Sequence, residues 1–129
     1  MPCKVLVIDD DPGFAGLVKL TLVRSRNDDV RIAIGGLEGI AMAEQDPPDL
    51  IILDIMMPAP HGFEVCRQLK AKPDLQNIPV LFQTAMSPAR AYPEAQRLGA
   101  AGCIIEPYRL QELLTARDAV LRGETYYPG

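Results

Sequence analysis

Nothing in this chain of 129 residues is arranged to hold zinc or a disulfide framework. There is one histidine, His61, and the three cysteines, Cys3, Cys66 and Cys103, are odd in number, widely spaced and without a C-x-x-C pair. The expectation is thiols buried in a reducing cytosol. A long apolar run is also missing: the strand-like segment that begins at Lys4 meets Asp9 within a few residues, too short for a signal peptide or a membrane span. A cytoplasmic protein with no membrane contact is expected. There is no excess of basic charge, because 13 Lys and Arg stand against 17 Asp and Glu for a net charge of −4, which argues against direct contact with nucleic acid. No linker, repeat or low-complexity segment divides the chain, and its length suffices for one domain with a full core.

What is present is an alternation. Short apolar runs and longer amphipathic segments follow one another five times, the pattern of a parallel sheet covered by helices on both faces. The runs are Val5 to Ile8, Val30 to Ile34, Leu50 to Leu53, Val80 to Phe82 and Cys103 to Ile105. Four are continuously apolar, as strands buried on both faces should be. Arg31 interrupts the second, which therefore reads as an edge strand. Helices are expected at about Gly13 to Ser25, Leu37 to Gln45, Gly62 to Lys70, Pro88 to Leu98 and Leu110 to Leu121. In the first, Phe14, Leu17, Val18 and Thr21 fall on one side. Asp11 can cap its amides and Pro12 suits the first helical position, while Gly99 should end the fourth helix. Residues 123–129 leave the periodic pattern, as a frayed end or the start of something further.

In an open parallel sheet a ligand lies beyond the carboxyl ends of the strands. Here those ends carry Asp9 and Asp10, Asp54, Gln83 and Thr84, and Glu106. Any one of these acids has an ordinary explanation as a cap or a turn residue. Three carboxylates brought together at one sheet edge repel by several kcal/mol at an effective dielectric of about 20, so a cation is needed. All-oxygen ligation suits Mg²⁺ or Mn²⁺. His61 reads as a solvated loop residue rather than a ligand. Thr84 adds a hydroxyl, and the Ile55-Met56 turn can offer a carbonyl to a metal and amides to an anion. Asp54, central in this set, suits the acceptor role in phosphoryl transfer.

The segments VLVIDDDP, LIILDIMMP followed by HG, PVLFQTA and GAAGCIIEP resemble the receiver domain of bacterial two-component response regulators. The likeness runs from residue 4 to about 122, leaving 123–129 as a C-terminal tail or the beginning of a linker. It implies a flavodoxin-like doubly wound α/β fold, (βα)5, with a five-stranded parallel sheet of order 2-1-3-4-5. It implies phosphorylation of Asp54 by a sensor histidine kinase or a phosphotransfer protein, a self-catalysed transfer rather than an enzymatic activity. Mg²⁺ would be held by Asp10, Asp54 and the carbonyl of Met56, with Asp9 in support through water. Thr84 would move toward the phosphoryl group as the switch hydroxyl. Output would pass to a downstream protein or an attached domain through the fourth helix, fifth strand and fifth helix, with homodimerisation left open. Two positions depart from the pattern. Glu106 stands where receivers usually carry a lysine, and Cys103 stands in the fifth strand, where an aromatic ring usually follows the movement of the threonine. An alternative is therefore an interaction module that works without phosphate. A phosphohydrolase using Asp54 is disfavoured, because there is no spare length for a specificity insert.

Overall fold

The computed structural model describes residues 2–129. Its elements are β1 (Lys4–Ile8), α1 (Pro12–Arg26), β2 (Asp29–Ala33), α2 (Gly36–Gln45), β3 (Leu50–Asp54), α3 (Gly62–Lys70), β4 (Val80–Thr84), α4 (Pro88–Arg97), β5 (Gly102–Ile105) and α5 (Leu110–Leu121). All pairings between neighbouring strands are parallel, in the order β2-β1-β3-β4-β5. This is the expected doubly wound sheet, with β2 at an edge. There Arg31 bonds the Asp46 carbonyl at 2.7 Å.

Alternation along each buried strand divides the core in two. Leu6, Ile8, Ile51, Leu53 and Phe82 face α2, α3 and α4, while Val5, Val7, Leu50, Ile52 and Leu81 face α1 and α5. Each fully buried Leu or Ile contributes roughly 1.5–3 kcal/mol, so both faces need apolar side chains throughout. The chain leaves β1 toward one face and β3 toward the other, and the carboxyl ends of these adjacent strands bound the crevice between them.

Helix α1 starts as expected. The Asp11 side chain accepts from the amides of Gly13 at 3.0 Å and Phe14 at 3.2 Å, and Pro12 opens the helix. Its buried face differs from the expected one: Ala15, Val18, Thr21 and Leu22 turn inward, whereas Leu17 is exposed. The seam centres on Val18, and the preceding residue is rotated about 100° away from it. Gly99, with φ of 80°, follows α4 as expected.

The tail does not fray. Tyr126 pairs in parallel with Gly102, its amide donating to the Ala101 carbonyl at 2.8 Å and its carbonyl accepting from Cys103 at 2.9 Å. The Tyr127 hydroxyl donates to the Ala100 carbonyl at 2.6 Å, and its ring packs edge-on against Tyr92 at 5.3 Å. Helical and strand periodicity do not reveal so short an addition, held by two tyrosines and a few main-chain bonds. No helix among the described residues is long and apolar enough to cross a membrane.

Candidate functional site

Sheet register assembles the site. Ile8 and Leu53 are partners across β1 and β3, so the residues that follow them, Asp9 and Asp54, emerge side by side. Asp10 comes next on the loop that leads to the Asp11 cap. One carboxylate oxygen from each of Asp9, Asp10 and Asp54 lies within 4.8 Å of the others. Asp9 is buried, Asp54 half-buried and Asp10 exposed, so the cluster opens to solvent on one side.

Each buried carboxylate is aimed. Asp9 Oδ1 accepts from the Asp11 amide at 2.9 Å, and Oδ2 accepts from Gln83 Nε2 at 3.1 Å. Asp54 Oδ1 accepts from the Met56 amide at 3.2 Å. The turn after Asp54 is closed by the Met57 and Gly62 amides, which both donate to the Ile55 carbonyl.

Gly62 explains why glycine follows His61. A Cβ there would lie 2.3 Å from the Asp54 carbonyl oxygen and 2.5 Å from Ile55 Cα. Gly62→Ala must push the main chain that carries Asp54, and a loss of about 1–3 kcal/mol in urea unfolding is expected. An unchanged midpoint would mean that the turn yields freely. His61 itself is exposed and caps α3, its Nδ1 accepting from the Glu64 amide at 3.4 Å, which agrees with a loop role.

The electrostatics show a site short of positive charge. Burial raises Asp54 to about 7, with the Asp9 and Glu106 charges adding to the shift. Burial also raises Asp9, and raises Glu106 with help from Asp9 and Asp11. Among the described residues no Lys, Arg or His forms an ion pair with Asp9, Asp10, Asp54 or Glu106. The donor set is all oxygen, which fits a hard divalent cation such as Mg²⁺ and does not fit zinc.

Residues 5–118 match the model of the response regulator receiver domain. The chain belongs to that family. Curated relatives include the DNA-binding dual master transcriptional regulator RpaA of Synechocystis sp., 37% identical over 97% of this chain, and the response regulator MprA of Mycolicibacterium vanbaalenii, 36% identical over 97%. The chain spans about half the length of these relatives, 52% and 53%. Among solved structures, chemotaxis protein CheY4 of Vibrio cholerae superposes with a TM-score of 0.85 at 30% identity, covering 93% of this chain and 99% of that one. The Francisella response regulator 1452 receiver domain gives 0.84 at 25% identity, covering 94% and 98%.

The receiver keeps its other polar strand ends on the same edge. Thr84 is fully buried at the end of β4, its Oγ1 accepting from the Met86 amide at 3.1 Å and its carbonyl from the Glu106 amide at 2.7 Å. Glu106 is half-buried and near enough to Asp54 to shift it, but Arg109 is exposed and makes no ion pair among the described residues. Cys66 and Cys103 are buried thiols, pushed up to about 11 and about 12, while Cys3 is half-buried. Sequence reasoning noted Gln83 only as a polar strand end, and it missed Tyr108, whose hydroxyl donates to Gln83 Oε1 at 2.8 Å. The available signal was an amide at the end of the apolar run Val80 to Phe82.

Proposed function

We propose that this receiver is a phosphorylation-dependent switch in two-component signalling, with Asp54 as phosphoacceptor and Mg²⁺, or Mn²⁺ in its place, as cofactor. The supporting observation is the convergence of Asp9, Asp10 and Asp54 with no cationic side chain among the described residues paired to them. Asp10, Asp54 and the Met56 carbonyl would hold the metal, with Asp9 beside it. The bound ion supplies neutralisation of the charge that gathers on the transferring group. An Asp54 carboxylate oxygen forms the new bond to phosphorus as the bond to the donor breaks, and the departing group keeps that electron pair. The amides of the turn after Asp54 and the Thr84 hydroxyl then meet the phosphoryl oxygens.

The donor is a sensor histidine kinase or a phosphotransfer protein. Output runs through the face of α4, β5 and α5 to a downstream protein or an attached domain, and that face also serves if the receiver forms a homodimer. The greater length of the curated relatives, one of them described as DNA-binding, supports an attached output domain. In this reading residues 1–122 are the receiver and 123–129 its tail or the start of a linker. The receiver works in the cytoplasm without touching nucleic acid or membrane itself.

The first test is metal binding. The folded-state pKa of Asp54, about 7 without metal, lies above the usual unfolded value near 3.9. The metal-free fold therefore holds an extra proton between those limits, and this group's contribution to stability falls as pH rises from about 4 to about 7. Mg²⁺ competes with that proton and binds only the fold, so saturating Mg²⁺ should raise the melting temperature more at pH 8 than at pH 5. Asp10→Ala should abolish the increment. Melting insensitive to Mg²⁺ at pH 8 would refute the site. The second test is intact mass after incubation with Mg²⁺ and a small phosphodonor, with one added phosphoryl group expected and none in Asp54→Ala.

A further inference from the structure

Gln83 is fully buried inside β4, paired with Asp54 on one side and Ile104 on the other. A primary amide in such a place costs stability unless both its ends are bonded. Both ends are: Nε2 donates to Asp9 Oδ2 at 3.1 Å, and Oε1 accepts from the Tyr108 hydroxyl at 2.8 Å.

Chemistry fixes which way the amide points. An amide nitrogen can only donate and an amide oxygen can only accept, so with the nitrogen on the Asp9 carboxylate the oxygen is left to Tyr108, where the phenol supplies the proton. Tyr108 stays a neutral phenol, because burial raises its pKa well above the ordinary value. It is anchored from behind by Phe14 of α1, the rings meeting edge-on at 6.0 Å. Asp9 is thus held at both oxygens, by the Asp11 amide and by Gln83.

We propose that Gln83 is a positioning residue for the metal site, acting through Asp9, and that Tyr108 keeps its amide in the working orientation. The proposal rests on the Mg²⁺ reading above. It gives this receiver a neutral, fixed donor to an acidic-pocket carboxylate on the edge where Glu106 leaves no cation. A purely structural pair would set the stability of the metal-free fold and leave metal affinity alone. A positioning role changes the affinity itself.

The experiment is calorimetric titration of the full chain with Mg²⁺ at pH 8, alongside metal-free melting. Gln83→Leu keeps the volume and removes the donor, and its Kd for Mg²⁺ should rise about tenfold, as when a hydrogen-bond partner of a metal ligand is lost. Tyr108→Phe should raise Kd by about threefold, the equivalent of one neutral hydrogen bond. The double variant should bind no more weakly than Gln83→Leu, since Tyr108 acts through Gln83. Variants within twofold of the native Kd, whatever their melting temperatures, overturn the proposal while the metal reading stands. A native protein that binds no Mg²⁺ overturns the metal reading and the proposal together. If Gln83→Leu fails to fold, Tyr108→Phe decides alone: a weakened Kd supports the role and an unchanged one refutes it.

Discussion

Replacing Glu106 by lysine is expected to raise the rate at which Asp54 is phosphorylated by at least about tenfold. Each factor of ten requires only about 1.4 kcal/mol of barrier. The exchange alters the local charge by two units beside a site that already holds Asp9, Asp10 and Asp54. Glu106 is close enough to these groups to raise Asp54, and its own carboxyl is raised by burial, Asp9 and Asp11. At about 4 Å and an effective dielectric near 20 a unit charge is worth on the order of 4 kcal/mol, and solvent reduces that value. A tenfold gain is thus a low bound. A cleft of about 280 Å³ bordered by Phe14, Ala85, Glu106, Pro107 and Tyr108 gives the lysine room. Intact-mass kinetics with Mg²⁺ and a small phosphodonor will measure it. Arg109→Ala is the control for a compensating arginine; because Arg109 is exposed and forms no ion pair among the described residues, the substitution should leave the rate unchanged. Equal, rapid phosphorylation of the native protein and Glu106→Lys would remove the repulsion argument and leave an ordinary phosphorylated receiver. Phosphorylation only in the variant would favour an interaction module that works without phosphate.

Arg117→Ala should cost about 3–5 kcal/mol of fold stability, the usual effect of stranding one charge of a buried pair. Asp28 is 0% and Arg117 5% exposed at the side chain, and two bonds join them at 3.0 and 2.6 Å. Asp28 also accepts from the Cys3 amide at 2.9 Å, and Arg117 reaches Asp118 at 2.9 Å. Asp118 is bound in turn by Arg26, which with Arg117 holds its carboxyl down to about 2. The network joins the start of β1, the end of α1 and the middle of α5. Replacing Arg117 by Met and Asp28 by Leu together should cost less than Arg117→Ala, because no bare charge remains. Urea unfolding of both variants tests this, and a loss below 1 kcal/mol in Arg117→Ala would show that water reaches Asp28 freely.

The strands, helices and acidic edge were legible because each rests on a local rule. Val5 to Ile8 and Leu50 to Leu53 must be apolar at every position when both faces are covered, and Asp9 and Asp54 are prominent against them. What could not be read depends on distant partners. Arg117 resembles any polar residue of an amphipathic helix until Asp28, 89 residues away, comes beside it. Gln83 meets Asp9 across 74 residues and Tyr108 across 25. The Leu17 expectation failed for a smaller reason: four residues within one helix left the direction of its seam undecided by a fraction of a turn.

The tyrosine tail changes what the sheet offers to other molecules. An uncovered outer strand presents a row of main-chain donors and acceptors that can recruit a foreign strand. On the β5 side, the Cys103 amide and the Ala101 carbonyl are already taken up by Tyr126. On the other side, Arg31 places a charge on β2. A strand that sought to pair at this point of β5 would first have to displace Tyr126 from those two main-chain bonds.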